Sequence, residues 1–162
     1  MQRMSKPRPV PAAAAIQPQG CTNFKLRQLM RRVGQHYDLE MAKIGLKTTQ
    51  YSLLSHVLKL GPVRPGGLAH AMTMDASTLT RNLKPLLSAG WVELCAGSDG
   101  RSRSVTITAA GREKRAEAQR RWRVAQESIN QLLGLERVVA LHALVDDSLE
   151  LLSPLAIGEN DE

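Results

Sequence analysis

The spacing of apolar residues changes period once along this chain and then changes back. From about residue 22 to residue 90 they recur every three or four positions, the spacing of one face of an α-helix. From Trp91 to Thr108 the period falls to two, the spacing of a strand with one buried face. From Ala109 onward the helical spacing returns. The predicted order is four helices, one β-hairpin and two helices, so the fold class is mainly α with a small β-hairpin.

The first helix is predicted over about 22–44, with Thr22 as its N-cap. Leu26, Met30, Val33, Tyr37, Met41 and Ile44 form its apolar stripe, and Gly45 stops it. Thr48 or Thr49 caps a second helix carrying Tyr51, Leu54, Val57 and Leu58, ended by Gly61-Pro62. Pro65-Gly66-Gly67 opens a short third helix and is expected to delay its start, with Leu68, Ala69 and Met72 facing inward. Asp75 reads as the cap of a fourth helix that packs through Leu79, Leu83, Leu86 and Leu87 and ends at Gly90. Pro85 inside that helix removes the backbone bond to the Arg81 carbonyl, so a kink or a tightened turn is expected there.

In the hairpin, Trp91–Leu94 is the first strand, with Val92 and Leu94 on one face, and Ser104–Thr108 is the second. Asp99-Gly100 supplies the turn. Cys95 is expected to be a small buried hydrophobe. A long charged helix is predicted over about Ala109–Leu133. A last one over about Leu135–Leu152 carries Val138, Leu141, Val145, Leu149 and Leu152 at helical spacing.

Charge is distributed unevenly. Residues 1–134 hold 21 Lys and Arg against 8 Asp and Glu, whereas residues 135–162 hold one Arg against seven acids. A basic body favours nucleic-acid partners, because each neutralised phosphate releases a counterion. The chain has only five aromatic residues. Single-strand and RNA binders usually repeat an alternation of aromatic and basic residues to stack on bases, and five aromatics do not make that pattern, so duplex DNA is the better match.

Cys21 and Cys95 form neither a metal-type pair nor a disulfide framework, and a reducing cytoplasm is the expected setting. No apolar run approaches the roughly 20 residues of a membrane helix. Residues 1–20, with four prolines, read as a disordered basic tail, and residues 154–162 as an acidic one.

The third and fourth helices, joined by a tight turn, form a helix-turn-helix candidate, and the second helix of such a pair lies in the major groove. With Leu79 and Leu83 turned to the core, Ser77, Thr78, Thr80, Arg81, Asn82 and Lys84 are the candidate DNA contacts. Small hydroxyls approach phosphates and base edges without clashing, and Arg81 has the fork for a bidentate contact to guanine. The hairpin tip, Asp99-Gly100-Arg101-Ser102-Arg103, adds Arg101 and Arg103 as candidates for a narrow minor groove.

At this point a family pattern emerges. Leu79-Thr80-Arg81-Asn82-Leu83, Leu87-Ser88-Ala89-Gly90-Trp91-Val92, Asp99-Gly100-Arg101-Ser102 and Val105-Thr106-Ile107-Thr108-Ala109-Ala110-Gly111, in that order, resemble the core of the MarR family of regulators. Gly45-Leu46-Lys47-Thr48-Thr49-Gln50-Tyr51 resembles that family's lead into its second helix. The resemblance covers about residues 21–153. It implies a winged helix-turn-helix domain with a DNA-binding lobe at about 48–111 and dimerisation helices at about 22–44 and 112–153. It also implies a homodimer on a roughly palindromic operator, and a repressor released by a small aromatic or phenolic acid.

Arg31, His36, Tyr37, Tyr51 and His56 are the candidate effector-binding residues. The alternative switch is oxidation of Cys21, since positive helix ends and a nearby ammonium such as that of Lys25 favour a thiolate. No zinc spacing joins the four histidines, and no metal or other cofactor is expected. No nucleophile elbow, metalloprotease pair or phosphate loop appears, so no enzymatic activity is expected.

Overall fold

The computed structural model describes residues 19–96 and 102–153. Arg101, the Asp99-Gly100 turn, residues 1–18 of the basic tail and the acidic tail at 154–162 lie outside the described residues. The elements are α1 (Thr22–Ala42), α2 (Thr48–Leu60), α3 (Pro65–Ala71), α4 (Ala76–Ser88), β1 (Val92–Ala96), β2 (Arg103–Ile107), α5 (Ala109–Leu133) and α6 (Leu135–Leu152).

Two helix starts differ from the expectation by one residue. Thr22 is the first residue of α1 rather than its cap: Cys21 holds the extended N-cap conformation, and its carbonyl accepts from the Lys25 N–H at 3.1 Å. Lys47, not Thr48 or Thr49, is the N-cap of α2. Asp38 of α1 takes over the capping, its Oδ1 accepting from the Thr48 N–H at 2.8 Å and from the Thr48 hydroxyl at 2.7 Å. A carboxylate from another helix thus satisfies one of the free N–H groups that open α2.

The proline-glycine opening does not delay α3. Pro65 is its first residue, where the missing N–H has no helical partner to lose. α4 runs unbroken through Pro85, which sits on its exposed face, and the buried positions Leu79, Leu83 and Leu86 keep their spacing past it.

β1 and β2 pair antiparallel, Val92 opposite Ile107 and Leu94 opposite Val105. Val63, held between two prolines, adds a third rung: its N–H and carbonyl bond Val105 at 3.1 and 2.8 Å. β2 is therefore central and β1 is an edge. That explains a correction to the expected hairpin face. Val92 is buried at the base, but Leu94, on the uncovered edge, is 40% exposed. Cys95 is exposed as well, rather than buried.

Two cores form. Leu53, Leu54 and Val57 of α2 join Leu68 and Ala69 of α3, Leu79, Leu83 and Leu86 of α4, and Val92, Val105 and Ile107 of the hairpin. Met41 and Leu46 pack with Ala118 of α5 in the second. Trp91 packs against both. Gly111 makes the junction possible, because a Cβ there would lie 1.9 Å from the Trp91 carbonyl oxygen.

Beyond this body α6 stands nearly bare. Val138 is its one buried residue, while Leu135, Val139, Leu144, Leu149, Leu151 and Leu152 are exposed. Phe24, Leu26 and Met30 are exposed along α1. No helix among the described residues is long and apolar enough to cross a membrane.

Candidate nucleic-acid interface

The chain turns sharply between α3 and α4 through Thr73, whose φ is +51°. Asp75 then caps α4. Its Oδ1 accepts from the Thr78 N–H at 2.7 Å and the Ser77 hydroxyl at 2.6 Å, and its Oδ2 from the Thr78 hydroxyl at 2.7 Å. Those bonds, the Ser77 hydroxyl first, hold the Asp75 carboxyl well below the usual carboxylate range.

The exposed face of α4 carries Ser77, Thr80, Arg81 and Lys84. The small hydroxyls are already engaged. Ser77 and Thr78 donate to Asp75, and Thr80 donates to the Ala76 carbonyl at 2.8 Å. A phosphate only accepts, so it would find no free hydroxyl proton at these three positions. Asn82 is half-buried, its amide nitrogen 3.9 Å from the Met74 sulfur, where it braces the turn. Arg81 and Lys84 remain as cationic donors on the open face. Arg103 is exposed at the far end of β2, opposite Ala96.

The five candidate effector residues lie on two helices, Arg31, His36 and Tyr37 on α1 and Tyr51 and His56 on α2. Arg31, on α1, is exposed in a groove lined by residues of α1 alone. His36 is half-buried on the same helix. Tyr37 donates from its hydroxyl to Gln126 of α5, and burial pushes its phenol above the ordinary value of 10.0. Tyr51 and His56 lie on α2, next to α5. The Tyr51 ring centre is 5.9 Å from the Arg115 guanidinium, and His56 Nδ1 is 2.8 Å from the Ser52 carbonyl.

Ser55, His56, Leu58, Lys59 and Arg115 line a groove of about 400 Å³ between α2 and α5. Arg115 Nε donates to Ser55 Oγ at 3.2 Å across it. Ser55, Lys59 and Arg115 were missed by sequence reasoning, because Arg115 is one of many cations on α5 and nothing in its spacing marks the side that meets α2. Glu40 faces cations: it bonds Lys43 and lies 3.7 Å from Arg121. Cys21 is exposed at the start of α1.

The sequence profile of the MarR family matches residues 46–102. A Bacillus subtilis protein described as the uncharacterized HTH-type transcriptional regulator YwoH is 27% identical over 90 residues, 56% of this chain. The match spans 66% of that relative, just under two thirds of its length.

Among solved structures, the M. tuberculosis transcriptional regulator MosR in complex with DNA is 29% identical, with a TM-score of 0.63 over 80% of this chain and 98% of that one. A mutant of E. coli MarR complexed with operator DNA is 19% identical and shares the fold, with a TM-score of 0.73 over 78% of this chain and 92% of that one.

Proposed function

We propose that this chain is a transcriptional regulator of the MarR family, a reading supported by the family match at residues 46–102, and that it is a homodimeric repressor of the cytoplasm, without enzymatic activity, that reads a palindromic operator. The observation that carries the reading is the open face of α4, where Arg81 and Lys84 project beside the hairpin. In the bound state α4 lies in the major groove. Arg81 reads a base edge, Lys84 meets phosphate, Ser77, Thr78, Thr80 and Asn82 shape the face, and the hairpin carries Arg103 to the adjacent minor groove, where Arg101, two residues before it in sequence, is the further candidate contact.

The exposed apolar residues of α1 and α6 support the dimer. A lone soluble subunit rarely leaves such stripes bare, and a second copy offers matching ones, as a two-fold interface requires. Residues 48–111 then form the reading lobe and α1, α5 and α6 the dimer.

The groove between α2 and α5 is the proposed effector site. Lys59 and Arg115 supply charge for the carboxylate of an aromatic acid, and Leu58 supplies an apolar wall. Because α5 also holds the second core, occupancy there shifts the reading lobe against the dimer and weakens operator binding.

The test is fluorescence anisotropy on DNA from upstream of its own gene and on an unrelated duplex, at several salt concentrations. Specific regulators prefer their site by roughly a thousandfold or more. Equal, steeply salt-dependent binding to both duplexes would sink the repressor reading. Aromatic acids added to the same assay should release wild type but not Arg115→Ala. Release by peroxide that disappears in Cys21→Ser would assign the switch to Cys21 instead.

A further inference from the structure

We propose that Thr78 is a positioning residue for base readout: with Asp75 it holds the Arg81 guanidinium so that the outer edge, Nη1 and Nη2, is the edge presented to a guanine. This rests on the reading of α4 as the element that enters the major groove.

The direction of the hydrogen bonds carries the argument. Ionised Asp75 only accepts, and it takes the single Thr78 hydroxyl proton at 2.7 Å. The Thr78 oxygen is then left to accept, and Arg81 Nη2 donates to it at 3.3 Å. Arg81 Nε donates to the Ser77 carbonyl at 3.4 Å. The inner edge of the guanidinium is thus occupied by its own helix. Two hydrogens on Nη1 and the second on Nη2 remain, and together they make the end-on fork that fits O6 and N7 of guanine. A long, flexible side chain would otherwise have to be ordered at the moment of binding.

The Thr78 hydroxyl is not needed for the cap itself. Asp75 also accepts from the Thr78 backbone N–H at 2.7 Å and from the Ser77 hydroxyl at 2.6 Å, two bonds that do not involve that hydroxyl. What the hydroxyl adds is the link to Arg81. The same network leaves Ser77, Thr78 and Thr80 without a free proton, so these hydroxyls can accept from a base edge but not donate to one, and Arg81 and Lys84 are the cationic donors of this face.

The experiment selects duplexes from a library with a randomised core using wild type, Arg81→Ala, Thr78→Val and Thr78→Ser. Anisotropy then follows on the wild-type-selected duplex, on the same duplex with each guanine replaced in turn, and on a random-sequence duplex. Thr78→Val should lose roughly 3–10-fold of discrimination, the worth of one hydrogen bond, at the same guanine that Arg81→Ala no longer reads. Any loss on the random duplex should be smaller than the loss at that guanine, and Thr78→Ser should restore most of the discrimination.

Three outcomes would overturn the proposal: wild-type discrimination by Thr78→Val, an equal loss on every duplex, or failure of Thr78→Ser to rescue. A wild type that selects no sequence at all would overturn the DNA-reading role together with it, a result distinct from normal selection by both wild type and Thr78→Val.

Discussion

The Lys114 ammonium lies 5.6 Å from the centre of the Trp91 ring. It also donates to the Ile44 carbonyl at 2.7 Å and pairs with Glu117 at 2.9 Å. Trp91 touches both cores and Ile44 leads from α1 into α2, so one partly buried cation ties α5 to the hairpin base and to the α1–α2 connection. Lys114→Met keeps most of the stem but removes the charge. It should cost about 2–4 kcal/mol, the combined scale of a cation–π contact and a charge-assisted hydrogen bond. Chemical denaturation checks this. In a Trp91→Leu background the same change should cost less, and an undiminished cost there would mean that the ring contributes nothing.

Gly111 should tolerate no side chain. A Cβ there would sit 1.9 Å from the Trp91 carbonyl oxygen and 2.9 Å from Ile107 Cγ1. The first neighbour is backbone, held by the Thr108 N–H at 3.1 Å, so it has little room to give. Elsewhere in a helix alanine is favoured over glycine by up to about 1 kcal/mol. Here the clash should reverse the sign, with Gly111→Ala destabilising by about 2–3 kcal/mol, the upper range for overpacking. A thermal midpoint equal to or above wild type would refute the close approach.

Much of this architecture is legible in the chain itself. The change of period from about four to two marks the hairpin, and Asp75 followed by Leu79, Leu83 and Leu86 marks a capped helix with a buried stripe. Both signals are local, and the structure has both. What escaped the sequence depends on contacts made at a distance. Asp38 caps α2 from ten residues away, and no local pattern announces that. Val63 joins the sheet as a single residue between prolines, too short to show alternation, and its pairing with Val105 is what leaves Leu94 on the bare edge. Arg115 enters the α2 groove because α5 crosses α2, a crossing that charge spacing along α5 does not encode. At the candidate interface the residue types on α4 were readable, but not that the hydroxyls of Ser77, Thr78 and Thr80 turn back to their own helix.

The cap on α4 should respond to pH in one direction. Hydrogen bonds from the Ser77 hydroxyl, then from Thr78, hold the Asp75 carboxyl below its ordinary value. A group depressed in the folded state binds fewer protons there than in the unfolded chain, so its contribution is present above the unfolded value, about 3.9 for Asp. It is lost as pH falls through the lower folded value. Urea unfolding of wild type and Asp75→Ala should therefore show a constant stability gap from pH 7 to about 5. The gap should narrow only as the medium becomes more acid than about pH 4. A gap that already shrinks between pH 7 and 5 would mean that the carboxylate is not held by these bonds.

The bare face of α6 makes the proposed dimer testable without touching either core. Val139 is 60% exposed, next to Val138, which is the buried residue of that helix. In a single subunit Val139→Asp places a carboxylate in water, at a cost within about 0.5 kcal/mol, as for ordinary surface changes. Within a dimer that covers this face, the same carboxylate would be buried without a partner, which costs several kcal/mol per interface. Two-fold symmetry applies that penalty once from each subunit. Sedimentation equilibrium should therefore give twice 17.8 kDa for wild type and a value near 17.8 kDa for Val139→Asp at the same concentration. Operator affinity should fall with it, because each subunit then binds one half-site alone. A variant that stays dimeric would move the interface off this face of α6, and a monomeric wild type would leave the palindrome without a symmetric reader.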